Sequence, residues 1–239
     1  MTTPDPASAP RPVRLLIVDD DPLVRAGLTL MLGGAEDIDI VGEGADGSEA
    51  AELVDRLRPD VVLMDIRMPV MDGLTATETL RSRPDAPEVV VLTTFHADEQ
   101  VLRAIRAGAA GFVLKDTPPA QIVDSVRRVA AGDPVLSPAV TRQLMARATG
   151  AGQEERACRA ERARQRIALL ADREREVAVA VGHGRSNAEI AAALYLSVAT
   201  VKTQVSRILA KFDFNNRVQI ALLVHDAGLL DDEGDSNPS

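Results

Sequence analysis

Tryptophan is absent from this 239-residue chain, tyrosine occurs once and phenylalanine four times. Its cores must therefore be packed from Leu, Val, Ile and Ala. A single cysteine, Cys158, excludes an intrachain disulfide and fits a reducing compartment, which points to the cytoplasm. Cys158 falls in a charged stretch and is assigned no role. No apolar run approaches the ~20 residues that a membrane-spanning helix needs. Residues 1–12, rich in Pro, Ala, Ser and Thr, lack the basic start and apolar segment of a signal peptide and read as a disordered tail. No internal repeat is visible. The net charge of −9 is unevenly spread. Residues 13–131 hold 12 Lys/Arg against 21 Asp/Glu, whereas residues 170–230 hold 7 against 6. An acidic first half and a neutral-to-basic second half suggest two domains with different partners. The whole-chain pI of about 4.9 would alone argue against nucleic acid, and it averages over that difference.

Strand-like apolar runs at 13–18, 38–41, 61–64, 88–92 and 111–114 alternate with helical periodicity at 23–32, 47–57, 74–81, 99–107 and 120–130. Five strands alternating with five helices predict a doubly wound parallel sheet covered on both faces, with right-handed crossovers. Residues 132–167 break the pattern and read as a linker. Within it, 139–148 fits a short helix, Gly150 to Gly152 a flexible joint, and 154–166 a solvated, partly helical segment. From residue 168 to 230 no strand pattern remains, and short helices fit at 172–181, 187–195, 198–211 and 217–227. Ser186 and Ser197 are suited to cap the second and third of these. Residues 231–239 form an acidic, polar tail that reads as disordered.

The stretch Val61-Val-Leu-Met-Asp65 organises the first half. Four apolar residues read as a strand buried on both faces, which puts Asp65 at the carboxyl edge where open α/β sheets bind ligands. Pro69 and Asp72-Gly73 fold the following loop over that edge. The first strand delivers Asp19 and Asp20 to the same edge, the fourth Thr93 and the fifth Lys115. Two unpaired carboxylates about 4 Å apart repel by about 4 kcal/mol at an effective dielectric of roughly 20, so such a cluster protonates or binds a cation. Hard oxygen ligands suit Mg²⁺. The set fits a metal-assisted phosphoryl site with Asp65 as nucleophile, Mg²⁺ and Lys115 on the transferred oxygens, and Thr93 donating a hydrogen bond.

Val18-Asp19-Asp20, Met64-Asp65 with Pro69 and Asp72-Gly73, Thr93 and Leu114-Lys115 together resemble the receiver domain of two-component response regulators, over residues 13–131. The resemblance implies a flavodoxin-like fold and Asp65 as a phosphoacceptor served by a sensor histidine kinase. It implies Asp20 and Asp65 as direct Mg²⁺ ligands, Asp19 on a metal-bound water and the backbone carbonyl of Arg67 as a further ligand. It also implies that Thr93 and Phe112 reorient together on phosphorylation. Such a domain promotes only its own phosphoryl transfer and dephosphorylation and is not otherwise an enzyme.

A second motif competes. Gly42-Glu-Gly44-Ala-Asp-Gly47 has the spacing of a dinucleotide-binding loop. Glu43 and Asp46 would face the pyrophosphate there, which disfavours it, and a tight turn accounts better for the glycines.

In the second half, a short apolar-faced helix from Asn187 is followed by a turn at Leu196-Ser197. In the next helix Val198, Val201, Val205, Ile208 and Leu209 share one face. The opposite face is polar and basic, as in a helix-turn-helix with its second helix in the major groove. A plain helical bundle with a solvated face fits the pattern equally. Arg173-Glu-Arg-Glu-Val177, Gly184-Arg-Ser-Asn-Ala-Glu-Ile-Ala191, Thr200-Val-Lys-Thr203, Ile208-Leu209, Lys211 and Arg217 resemble the LuxR-type helix-turn-helix, over residues 168–230. Receiver plus this module is the NarL/FixJ layout.

That resemblance puts Lys202, Thr203 and Arg207 near bases or phosphates, and Asn187, Thr200, Lys211 and Arg217 nearer the DNA backbone. It makes the last helix, with Val218, Ile220, Leu223 and Val224, a dimer contact. Gln204 stands where histidine is frequent and can bond an adenine edge. Ala171 stands where a threonine cap is usual, and Asp172 is the candidate replacement. The implied protein is a cytoplasmic, dimeric, DNA-binding transcriptional regulator switched by phosphorylation of Asp65. The alternatives are a regulator that binds DNA without phosphorylation and a nucleotide-processing α/β enzyme.

Overall fold

A computed structural model of the chain describes residues 11–83, 85–93, 98–136 and 153–230. The first domain runs β1 (Val13–Val18), α1 (Pro22–Leu32), β2 (Ile38–Gly44), α2 (Ala50–Leu57), β3 (Val61–Asp65), α3 (Gly73–Arg81), β4 (Glu88–Thr93), α4 (Asp98–Ala107), β5 (Gly111–Leu114), α5 (Pro119–Ala130) and β6 (Val135–Leu136). The sheet is wholly parallel in the order β2-β1-β3-β4-β5-β6. Alternate residues of each strand feed opposite cores. Val62 and Met64 pack with Leu53, Leu80 and Ile105, while Leu63 packs with Leu28, Ile122 and Val126. Continuous apolar runs are what strands covered on both faces require.

The expected five-strand alternation holds, with two differences. β2 continues through Gly42 and Gly44, so these glycines lie in the strand and not in a turn. A Cβ on Gly42 would stand 2.5 Å from Leu57 Cδ1, and one on Gly44 2.8 Å from Leu53 Cδ1. The glycines admit α2 against the strand, and the same side chains fill the space a pyrophosphate would need. β6 adds an edge strand inside the stretch read as linker. The helix expected at 139–148 and the flexible joint at 150–152 fall outside the described residues.

The second domain comprises α6 (Gln153–Ile167), α7 (Asp172–Gly182), α8 (Asn187–Ala193), α9 (Val198–Phe212) and α10 (Arg217–Asp226). The end of α6 is not a solvated linker. Ala163 and Ile167 are buried in the same core as Val177, Ile190, Val201, Ile208 and Ile220. The Arg166 guanidinium stacks over the Phe212 and Phe214 rings at 5.4 and 5.1 Å. Ser186 and Ser197 cap α8 and α9 as expected, accepting from the amides of Glu189 and Thr200. Asp172 does not replace the missing cap of α7, because it already lies within the helix. Instead Glu174 reaches back to the Ala171 amide at 3.0 Å, half of a capping box. Val198, expected on the core stripe, is largely exposed at the start of α9.

The residues expected at a dimer contact lie in the core of this conformation. Val218, Ile220, Leu223 and Val224 are all buried, and α10 is packed by α6, α7 and α4. Side chains without exposed surface cannot meet a second chain in this conformation. Among the described residues no helix is long and apolar enough to cross a membrane.

Candidate functional site

The carboxyl edge of the sheet gathers the expected groups. β1, β3, β4 and β5 are adjacent, so their last residues converge at the centre of that edge. Asp19 and Asp65 are buried, Asp20 is exposed, and one oxygen from each lies within 4.8 Å of the others. Lys115 bridges the buried two, with Nζ 2.6 Å from Asp19 Oδ2 and 3.0 Å from Asp65 Oδ1. Burial pushes the Asp65 carboxyl above its ordinary value. Lys115 opposes that rise and Asp19 adds to it. Burial pulls the Lys115 ammonium down, but its bonds to the two carboxylates outweigh this and hold it above its ordinary value. Three carboxylates against one ammonium leave the pocket under-neutralised, and hard oxygen donors at this spacing fit a divalent cation such as Mg²⁺. Thr93 and Phe112 are both buried on neighbouring strands.

The loop after β3 is tied at both ends. The Arg67 amide donates to Asp65 Oδ2 at 3.2 Å, and the Gly73 amide donates to the Ile66 carbonyl at 2.9 Å. Asp72 caps α3. A Cβ on Gly73 would fall 1.8 Å from the Asp65 carbonyl oxygen, so only glycine fits there. Arg25, not singled out by the sequence, donates from α1 to the Asp19 carbonyl at 2.6 Å and pairs with Glu43.

The helix-turn-helix pair is α8 and α9. Lys202, Thr203, Arg207 and Lys211 are exposed, and Gln204 and Thr200 are half-buried. The hydroxyl of Thr200 is engaged with Ser197, that of Thr203 with the Ala199 carbonyl, and Lys211 pairs with Glu174 at 2.8 Å. Asn187 and Arg217 are buried here against the end of the first domain. The Asn187 amide donates to Asp133 Oδ1 at 3.0 Å and its side chain to the Ala131 carbonyl at 3.2 Å. Arg217 donates to the Gly132 carbonyl, to Asp133, to Asn187 Oδ1 and to the Arg185 carbonyl.

Two further contacts join the domains. Asn216 Nδ2 donates to the Ile105 and Ala109 carbonyls at the end of α4, and Arg81 donates to the Asn215 carbonyl. The sequence offered Gly132-Asp133-Pro134 only as a helix end, and Asn216 was not singled out by it. A cleft of about 240 Å³ lies between Lys202, Val205 and Ser206 on α9 and Val129 and Pro134 of the first domain.

A doubly wound parallel sheet carrying this acid pocket, joined to a helix-turn-helix domain, defines a two-domain transcriptional regulator. The chain matches the response regulator receiver domain over residues 15–127 and the luxR family of bacterial regulatory proteins over residues 168–224. It is 37% identical over 213 residues to the transcriptional regulatory protein LiaR of Bacillus subtilis, covering 89% of this chain and 97% of that one. It is 35% identical over 218 residues to the response regulator protein VraR of Staphylococcus aureus, covering 91% and 99%. Among solved structures, that of the response regulator ChrA of a heme-sensing two-component system is 34% identical, with a TM-score of 0.50 and coverage of 91% and 98%. The chain belongs to the response regulators that join a receiver to a LuxR-type DNA-binding domain.

Proposed function

We propose that Asp65 is the phosphoacceptor of this regulator and that its phosphorylation controls access of α9 to DNA. The observation that carries the reading is Lys115 bridging Asp19 and Asp65, with Asp20 beside them. Asp19, Asp20 and Asp65, with the Arg67 carbonyl, would hold Mg²⁺. When bound, the ion supplies positive charge to the oxygens of the transferred group. An Asp65 carboxylate oxygen attacks phosphorus. The bond from phosphorus to the donor's histidine nitrogen breaks, and the nitrogen keeps the electron pair and takes a proton. Acetyl phosphate donates in the same way, with acetate leaving. Lys115 opposes the rise that burial causes at Asp65 and so favours the attacking carboxylate, and it remains beside the acyl phosphate as a counter-charge. Thr93, at the end of β4, donates to a phosphoryl oxygen, and Phe112 reorients with it.

In the output domain Lys202, Thr203, Gln204 and Arg207 meet the major groove, with Thr200 and Lys211 nearer the backbone. Asn187 and Arg217 join them only when the receiver lets go. A homodimer on two half-sites about one turn apart fits the module. The partners are a sensor histidine kinase and double-stranded DNA, and the lone Cys158 supports a cytoplasmic location.

The test is intact mass of wild type and Asp65→Ala after incubation with acetyl phosphate and Mg²⁺. One phosphate adduct, absent in the variant, is expected. An adduct on both proteins, or on neither, would sink the assignment of Asp65.

A further inference from the structure

Asp46 and Gly47 belong to the glycine-spaced stretch that the phosphoryl site leaves unused. Asp46 follows β2, far in sequence from the loop after β3, yet its carboxylate is aimed at that loop. Oδ2 accepts from the Val70 amide at 2.9 Å, and Oδ1 accepts from the Met71 amide at 3.2 Å and from the Ser48 amide at 2.9 Å. The residue is 7% exposed. Burial alone would raise its carboxyl, but the amide bonds outweigh this and hold it below its ordinary value. Three amides on one carboxylate are charge-assisted bonds, about twice as strong as neutral ones.

Gly47 completes the contact. A Cβ there would stand 2.5 Å from the Met71 carbonyl oxygen and 3.3 Å from that of Asp72, so the two backbones approach as closely as glycine permits. The loop from Ile66 to Asp72 is therefore held at three places. Gly73 ties its base, the Arg67 amide ties it to the nucleophile, and Asp46 ties its far side.

We propose that Asp46 is a positioning residue for phosphoryl transfer: it fixes the Ile66–Asp72 loop and, through it, the Arg67 backbone beside Asp65. This rests on the reading of Asp65 as phosphoacceptor. Without the carboxylate, the Val70 and Met71 amides must turn to water, and the loop backbone turns with them. In Asp46→Asn the remaining carbonyl oxygen still serves Ser48 and Met71, but an NH₂ group meets the Val70 N–H, donor against donor. A turn cap with no further role would lower stability and leave the site's requirement for Mg²⁺ untouched.

The experiment compares full-length wild type, Asp46→Ala and Asp46→Asn. Labelling by acetyl phosphate is followed by intact mass across a Mg²⁺ series. Thermal melting, and amide exchange of residues 66–72 in metal-free protein, are measured alongside. The Mg²⁺ concentration for half-maximal labelling is expected to rise about tenfold in Asp46→Ala, the scale seen when groups behind metal ligands are removed, with Asp46→Asn between. Exchange at Val70 and Met71 is expected to quicken before any metal is added. Wild-type Mg²⁺ requirement and wild-type exchange in the folded variants would overturn the proposal, whatever their melting temperatures. If Asp46→Ala does not fold, Asp46→Asn decides by the same two readouts. If wild type itself takes no label, the phosphoacceptor reading fails, and this proposal falls with it. A labelled wild type with unaffected variants removes Asp46 alone.

Discussion

Arg217 of the helical domain lies with Nη1 3.0 Å from the Asp133 carboxylate at the end of the receiver, and the two side chains are 6% and 16% exposed. Each neutralises a charge that the other has taken out of water. Removing one partner of a buried pair costs about 3–5 kcal/mol where the other stays buried, because the survivor is left unpaired. Here the domains can part and return the survivor to solvent, so opening offers a cheaper outcome.

Asp133→Ala is therefore expected to open the molecule while both domains stay folded. Small-angle scattering should give a larger radius of gyration than wild type, and melting should separate into two transitions. An unchanged radius would show that the pair does not hold the domains together.

Gly73 and Gly27 predict opposite responses to the same change. At Gly73 an added Cβ meets the Asp65 carbonyl oxygen at 1.8 Å and its carbon at 2.8 Å, backbone atoms that cannot turn aside. Gly73→Ala should lose roughly 3 kcal/mol, the upper range for overpacking, and disturb labelling at Asp65. At Gly27 in α1 nothing lies within 4 Å of the added carbon. Gly27→Ala should gain about 0.5–1 kcal/mol, since alanine loses less backbone freedom in a helix. Urea titration of both variants checks the pair, and equal midpoints would contradict the geometry.

Glu174 gives the helical domain a pH dependence of defined sign. Lys211 chiefly, and the Ala171 amide next, hold its carboxyl below the ordinary value of 4.5. A lowered folded value means that the unfolded chain binds the proton first. The stabilisation is therefore present above the ordinary range and lost as pH falls through the lowered value. Lys211 is partly exposed, so the pair contributes at most about 1 kcal/mol. Glu174→Gln should melt lower than wild type at neutral pH and match it in acid. A difference that persists undiminished in acid would mean that packing, not charge, explains the loss.

Lys202 is exposed on α9 at the mouth of the interdomain cleft. If it meets a phosphate, Lys202→Ala should weaken DNA binding similarly across sequences and reduce the slope of log affinity against log salt by about one. An unchanged slope with altered sequence preference would assign Lys202 to a base edge instead.

Much of the receiver was legible in the sequence for a local reason. A strand buried on both faces must be apolar throughout, and its first polar residue marks the sheet edge. Asp19, Asp65, Thr93 and Lys115 were found in this way, at four strand ends that the parallel order makes neighbours. Ser186 and Ser197 were legible because a cap is satisfied within three residues. Asp46 was not. It is a capping type at a turn, and nothing local says that it also holds Val70 and Met71. The end of α6 was missed because arginines dominate its composition, although Ala163 and Ile167 supply a narrow buried stripe.

The sequence by itself determined the class of each half, the acid pocket and the polar face of α9, because these depend on periodicity and on which residue ends each element. The tertiary structure alone decided that Val218, Ile220, Leu223 and Val224 of α10 are buried in the core. It also decided that Asn187 and Arg217 lie against the receiver, and that Asn216 bonds the end of α4. These contacts join residues about a hundred positions apart or on separate domains. Their partners are mostly backbone carbonyls, which every residue type carries, so no side-chain pattern announces them.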